Sequence, residues 1–416
     1  MRVSTFQFYQ YNTNNILDKQ SKVNDTIIHL SEGKRVITAS DDSVAANSIL
    51  NFKQEVRVTE QYQRNIDFAE ARLQTEETAL TSVEDLMLRI KDLALQGNNG
   101  SLGTDAKEAI AQEMENRLDE LLSIANTRDE SGSYIFSGYQ TERQPFTRQP
   151  DDTVLYSGDL GVRETTIGSS VSVETNDPGQ SVFIDIDNSV GDLRPTYATT
   201  NNGTAFVDSA NIVDPANYDP SLEVPDGYRI DFVDLDGDEV VEYQLFDGAG
   251  NQVVPALPGP PDSNLYEPGS AINYNGIEFV ITGDPEAGDS ITLNESRTKD
   301  IFSTVQDAID WMRSSFDDDQ EKAMRQVEMG HIISDMNQAM LHITSTRSNV
   351  GSRLQVIDSQ TNINEDYKIT VQTAQSNLED LDMAEASTEY SRQTLALQAA
   401  QQAFAQVQNL TLFNFI

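Results

Sequence analysis

The chain has no cysteine, a single tryptophan, and no proline outside the stretch Pro145–Pro285. Each absence excludes something. Without cysteine there can be no disulfide, no thiolate metal site and no thiol nucleophile. With all 13 prolines in the middle, two flanks, 1–144 and 286–416, contain nothing that must interrupt a long helix. Basic residues are scarce: 28 Lys and Arg stand against 68 Asp and Glu, a net charge of −40. No basic run is present to grip phosphates, which argues against nucleic acid as a partner, and an anionic membrane surface would repel the chain. No stretch approaches eighteen uninterrupted apolar residues, so no membrane span is expected. The opening MRVSTFQFYQYNTNNILDKQ lacks the apolar core of a cleaved signal peptide. At 416 residues the chain has room for two or three domains, and its 38% hydrophobic content predicts much exposed surface and an elongated shape.

The flanks carry heptad-like seams. Phe6, Tyr9, Thr13, Ile16, Gln20, Val23, Ile27 and Leu30 follow alternating steps of three and four, the spacing of a coiled-coil stripe. That helix is expected to stop at Gly33, which accepts a left-handed C′ conformation, with Ser40 or Asp41 capping the next helix. The second helix meets no breaker until Gly97 and would span roughly 80 Å. Its seam, from Ile66 to Ala94, has one polar member, Glu76. A third helix is expected from Asp105. On the return flank, Ile301–Met312, Met329–Val350, Tyr367–Leu381 and Ala386–Val407 repeat the pattern. The chain then finishes on Leu412, Phe413, Phe415 and Ile416, an apolar close where chain ends are usually polar.

The stretch 145–298 differs in kind. It holds 28 acidic residues and five arginines but no lysine, read as a solvated outer surface suited to a salty medium. Period-two runs such as SVFIDI, YRIDFVDLD, EVVEYQLFD and INYNGIEFVITG, separated by Asp-Gly and Asn-Gly pairs, predict strands and hairpins. The fold class is therefore α+β: a long antiparallel helical coiled-coil or bundle rod built from both chain ends, with an inserted β-rich domain. The expected divisions are 1–40 and 361–416 as terminal core helices, 41–144 and 299–360 as rod, and 145–298 as the β-rich outer domain.

No catalytic constellation emerges, and the protein is not expected to be an enzyme or to carry a cofactor. His331 and His342 lie eleven residues apart on one helical pattern, but no HExxH or third ligand accompanies them; with His29 they are read as structural or surface residues. Asp234, Asp236 and Asp238 occupy the first positions of a calcium loop, yet Glu239 and Leu245 stand where Gly and Glu are needed, so a hairpin turn at Gly237 is the simpler reading. GAGNQV at Gly248 lacks the third glycine of a dinucleotide turn. Met324, Met329, Met336 and Met340 read as seam filler, and Trp311 as a local anchor.

Both ends resemble the bacterial flagellin superfamily. LSEGKRVITASDDSVAANSILNFKQEV (Leu30–Val56) is similar to its N-terminal signature, SNVGSRLQVID (Ser348–Asp358) to its C-terminal Gly-x-Arg-Leu turn between helices, and Asp380–Ile416 to its last helix. The start, the segment SYIFSGYQTERQPF (Ser133–Phe146), GIEFVITGDPEAGDSITLN (Gly276–Asn294) and the LFNFI ending resemble the branch that joins hook to filament, with filament flagellin as the alternative and a calcium-dependent adhesin or acidic hydrolase as a further one. The resemblance implies export without a cleaved signal, an extracellular place in the flagellum, terminal helices that order on assembly, and self-association into a ring. It also implies flagellin and a neighbouring hook-associated protein as partners and an export chaperone on the last helix. The residues expected at those interfaces are Ile16, Val23, Ile27 and Leu30 in the first helix, and Tyr367, Val371, Leu378 and Leu381 before the last. Leu397, Phe404, Val407, Leu412, Phe413 and Phe415 complete the set. Packing of the last helix on residues 6–30 of the same chain is the competing explanation for its apolar face.

Overall fold

The structure, a computed structural model, describes residues 5–198, 200–234, 240–254, 264–314 and 319–413. Among the described residues the chain forms six α-helices and twelve strands: α1 (Thr5–Glu32), α2 (Ser43–Gly97) and α3 (Thr104–Ala125), then the strands between Phe146 and Glu295, then α4 (Ile301–Arg313), α5 (Asp319–Glu379) and α6 (Met383–Phe413). Helical ends with a β-rich middle are thus the architecture. The chain divides into two compact units. The first holds the residues up to Asp67, Thr166–Val171 and those from Asp358 on; the second holds Phe68–Thr165 and Ser172–Ile357. The divisions fall inside α2 and α5.

Glycine and acidic side chains set the helix ends. Gly33 adopts φ +69° directly after α1, where a left-handed residue closes the last turn. The cap of α2 is Asp42, not Ser40 or Asp41: its carboxylate accepts from the Val44 and Ala45 amides at 3.1 and 2.9 Å. Asp41 instead ties the preceding loop by accepting from Ile37 and Thr38. Asp300 caps α4 through the Ser303 amide at 2.7 Å.

In the second unit every seam position of α2 from Ala69 to Ala94 is buried, Glu76 included. The buried faces of α3 (Ile110, Met114, Leu118, Leu121) and α4 (Ile301, Val305, Ala308, Met312) supply the facing apolar stripes that such a helix needs. The end of the flexible Met312 side chain lies over Gly97, its Cε 2.0 Å from where a Cβ would stand. Between helices and sheets lies an aromatic cluster. Phe136, Phe146, Phe183 and Phe302 are fully buried, with ring centroids 5.0 to 6.0 Å apart, within the range of favourable ring pairs.

The strands β1 (Phe146–Arg148) and β2 (Val154–Tyr156), and β3 (Glu164–Thr166) and β4 (Ser172–Glu174), form two small pairs. A five-stranded sheet runs β5 (Leu193–Tyr197), β12 (Ser290–Glu295), β7 (Tyr228–Val233), β8 (Glu242–Phe246), β9 (Gln252–Val254). A three-stranded one runs β10 (Ala271–Tyr274), β11 (Ile277–Thr282), β6 (Phe206–Ile212). The two larger sheets share one core, with Val207, Phe279 and Ile281 from one and Ile230, Phe232, Leu245 and Leu293 from the other. Asn275 and Gly276 turn β10 into β11 with φ +49° and +74°, the Asn-Gly signature of a two-residue hairpin. Asp247 closes the β8–β9 turn around Gly248 by accepting from Ala249 and Asn251. Pro195 is tolerated because β5 is an edge strand.

Two further expectations are overturned. SVFIDI is not a strand: Gln180–Ile184 is one π-helical turn, because consecutive Val182 and Phe183 are both buried, which an alternating strand on one surface cannot achieve. Gly351 is not a turn between helices: α5 passes through it unbroken, the cost of a helical glycine being only about 1 kcal/mol. The expected hairpin at Gly237, with Asp236 and Asp238, lies outside the described residues, as do the side chains at 315–324, Met324 among them.

Truncating the aromatic cluster tests this description. Phe146→Ala should lower stability by about 3–5 kcal/mol in urea unfolding, whereas Leu155→Ala, on the adjoining strand but exposed, should stay within about 0.5 kcal/mol. Equal effects would contradict the placement of Phe146 at the centre of the cluster.

Candidate assembly surface

The terminal unit holds α1, α6, the start of α2 and the end of α5, joined at a clasp. α1 packs against α6, with Tyr9 and Phe404 meeting edge to face at 5.9 Å and Thr26 Oγ1 donating to Gln393 Oε1 at 2.8 Å. Beyond Gly33 the chain pairs with the end of α5: the Arg35 amide donates to the Glu379 carbonyl (2.7 Å) and the Leu381 amide to the Gly33 carbonyl (3.0 Å). Arg35 Nη2 donates to the Leu378 carbonyl at 2.8 Å, so an arginine caps the C-terminal end of α5 as the helix dipole favours. Leu378 itself packs on a small cluster of Val36, Ala45 and Ile49. Asp382 then caps α6 through the Ala384 and Glu385 amides.

Glu379 is the electrostatic centre of the clasp. Its nearly buried carboxylate meets Lys34 Nζ at 2.9 Å and Lys53 Nζ at 3.0 Å, and accepts from Gln375 Nε2 at 2.6 Å. Burial by itself would raise its pKa. The hydrogen bonds from Lys34, Gln375 and Lys53 outweigh that and hold it at about 2, below the ordinary 4.5. The shift corresponds to at most about 3 kcal/mol, and water around the two half-exposed lysines screens it to about 1–2 kcal/mol. Because the folded value is depressed, this stabilisation is present above pH 4.5 and is lost as pH falls towards 2. Glu379→Gln should therefore be less stable than the parent at neutral pH, with the gap closing through that acid window in paired urea titrations. A gap that persists at pH 2 would show that charge pairing is not its source.

The unit buries little of its apolar surface. Among the described residues, six of its Val, Leu and Ile side chains are buried: Val23, Val36, Ile49, Ile66, Ile167 and Val371. Twelve large apolar ones are exposed, including Leu17 (57%), Leu50 (64%) and Leu395 (68%). The second unit, about twice as large, exposes the same number while burying several times more. Of the residues expected at interfaces, Val23 and Val371 are buried within the chain. Ile16, Leu30, Leu378, Leu381, Leu397 and Phe404 are half-buried, and Ile27 and Tyr367 are exposed, Tyr367 donating to Glu55 at 3.3 Å. The side chains of Val407, Leu412, Phe413 and Phe415 lie outside the described residues. The heptad reading passed over Leu17 and Ile28, which stand eleven residues, or three turns, apart and so share a second face of α1; apolar residues off the seam were the available signal.

The histidines hold separate places. His331 stacks near Tyr197 and Phe206, His342 hydrogen-bonds to the Ser181 carbonyl at 2.7 Å, and His29 Nδ1 lies 2.9 Å from the Lys34 carbonyl. Trp311 donates to the Arg325 carbonyl at 2.9 Å beneath the Lys107 ammonium. No group of three candidate metal ligands occurs among the described residues, and none of the described helices is long and apolar enough to cross a membrane.

Known proteins share this arrangement. Residues 3–141 match the bacterial flagellin N-terminal helical region and residues 333–416 the C-terminal helical region. Flagellar hook-associated protein 3 of Escherichia coli (strain K12) is 30% identical over 210 residues, 50% of this chain and 65% of that protein; the match thus spans just under two thirds of that relative. Flagellin of Serratia marcescens is 32% identical over a shorter stretch, 30% of this chain and 36% of its own length. The crystal structure of flagellar hook-associated protein 3 from Legionella pneumophila superimposes with a TM-score of 0.70 at 31% identity, covering 79% of this chain and 98% of that one. With clasped terminal helices, a β-rich insertion and this near-complete overlap with a solved relative, the chain belongs to the flagellar hook-associated protein 3 family of the flagellin superfamily.

Proposed function

We propose that this protein is a structural adaptor of the bacterial flagellum, which polymerises through its terminal helical unit at the junction of hook and filament. The observation that carries the reading is the imbalance in that unit: twelve large apolar side chains exposed against six buried. A unit that leaves twice as many large apolar side chains in water as it buries gains from burial against a partner, and faces on α1, α5 and α6 can be covered by copies of the same helices. The partners follow from the family: sister copies in a ring, a neighbouring hook-associated protein on one side and flagellin on the other. The export chaperone belongs to α6 before assembly, and the extracellular location to the assembled state. Apart from Val23 and Val371, which are buried within the chain, the interface set named from the sequence is proposed in the same role, together with Leu17, Ile28 and Leu395. The reading involves no catalytic step. Filament flagellin is the second reading, supported by the shorter match to the Serratia protein.

Leu17→Asp combined with Ile28→Asp places two charges on the outward face of α1. The variant should keep the helical signal and melting behaviour of the parent, reach the medium when expressed in cells lacking their own junction protein, and fail to restore filaments and swimming. Removal of residues after Leu395 should leave the second unit folded and abolish assembly. Normal swimming with either variant would refute the assignment; a variant that enters filaments along their whole length would favour the flagellin reading.

A further inference from the structure

Glu76 is the one polar residue in the buried seam of α2, and Arg353 is the arginine of the Gly-x-Arg-Leu segment in α5. The structure brings them to one cluster in the second unit. Glu76 is 1% exposed. Its Oε1 accepts from the Asp177 amide at 3.1 Å, while its Oε2, also buried, has no hydrogen-bond partner. The Asp177 carboxyl lies beside it, close enough for a carboxyl–carboxylate hydrogen bond. Arg353 grips Asp177 with both Nη atoms, at 2.9 and 3.0 Å, and Glu174 at 2.5 Å.

The remaining charges around Glu76 can be placed. On its own helix stands Arg72, nearly buried and paired with Asp129 of the loop after α3 at 3.1 Å. Glu77 and Glu84 of α2 are occupied by Arg347 of α5. Three carboxyls, Glu76, Asp177 and Glu174, thus gather at the Arg353 guanidinium, while Arg72 pairs with Asp129 through Nη1 and attracts Glu76 without a hydrogen bond to it. An ionised Glu76 would be a second negative charge against Asp177, with one buried oxygen left bare, which is unfavourable in such surroundings. A proton on Oε2 removes the charge and supplies the missing partner in one step.

We propose that Glu76 is a proton-carrying clasp that stays protonated at neutral pH, donates from Oε2 to the Asp177 carboxylate, and so pins the strap Thr175–Asp177 to α2 while Arg353 holds it to α5. The strap is built for such a hold. Thr175 and Asn176 are buried; the Thr175 amide donates to the Arg163 carbonyl at 2.8 Å, and Asn176 bonds Arg163 and Gly161. Burial, and then the negative charge of Asp177, raise the Glu76 pKa well above 4.5, Arg353 opposing them. For a carboxyl raised in this way, the stabilisation is complete below 4.5 and is lost as pH climbs through the folded-state value. The clasp therefore loosens on the alkaline side.

The test uses the full-length chain. Infrared spectra at neutral pH should contain a protonated-carboxyl carbonyl band that disappears at high pH and is missing from Glu76→Gln. In paired thermal melts, the parent should lose stability relative to Glu76→Gln as pH rises, because glutamine donates from the same position at every pH. Asp177→Asn, which leaves Glu76 in place but removes the neighbouring charge, should move the loss of the band to lower pH. The proposal is overturned if the parent and Glu76→Gln spectra are identical at neutral pH, or if the two melt in parallel across the whole range.

Discussion

The constraint on which the rest depends is the shortage of core in the terminal unit. Two helices joined at a clasp can cover one stripe of each other, and α1 and α6 do so at Tyr9–Phe404 and Thr26–Gln393. Even with the start of α2 and the end of α5 beside them, so small a unit has little interior, because so much of its surface faces outward. Leu17, Ile28, Leu50 and Leu395 remain in water, and Glu379 with its two lysines contributes only the modest stabilisation of a screened ion pair. Such a unit gains more from further helices packed beside it than from anything within its own chain.

The second unit stands in contrast. Its helices bury complete seams, its sheets share one apolar core, and an aromatic cluster fills the space where helices give way to strands. This contrast between a unit with a full core and one with little is what the proposed role as an assembly protein asks of the chain. A chain folded too well at its ends would have nothing left to gain on joining the polymer.

Much of this was legible in the sequence because helical seams are written at fixed spacing. The α2 seam from Ile66 to Ala94 is buried at every position, and Gly33 and Asn275–Gly276 turn where their backbone freedom says they should. The misses have local causes. SVFIDI alternates on paper, but Val182 and Phe183 both answer to the aromatic cluster, a tertiary demand that a period-two pattern does not encode. Gly351 looks like a breaker, yet the helix around it is long enough to absorb one glycine. Glu76 was visible as an exception in its seam, whereas the cluster it shares with Asp177 and with Arg353, 277 positions away, could be found only in three dimensions. The clasp at Glu379 was equally hidden, since Lys34 and Lys53 meet it only after the chain has returned.

Hydrogen exchange followed by mass spectrometry, on the free chain and on the chain built into hook–filament junctions, addresses the central claim most directly. The account predicts that amides of α1 and α6 exchange far faster in the free protein than those of the α2 seam and the β-sheets, and become protected on assembly. Terminal helices as protected in the free chain as the second unit, with no gain on assembly, would contradict it.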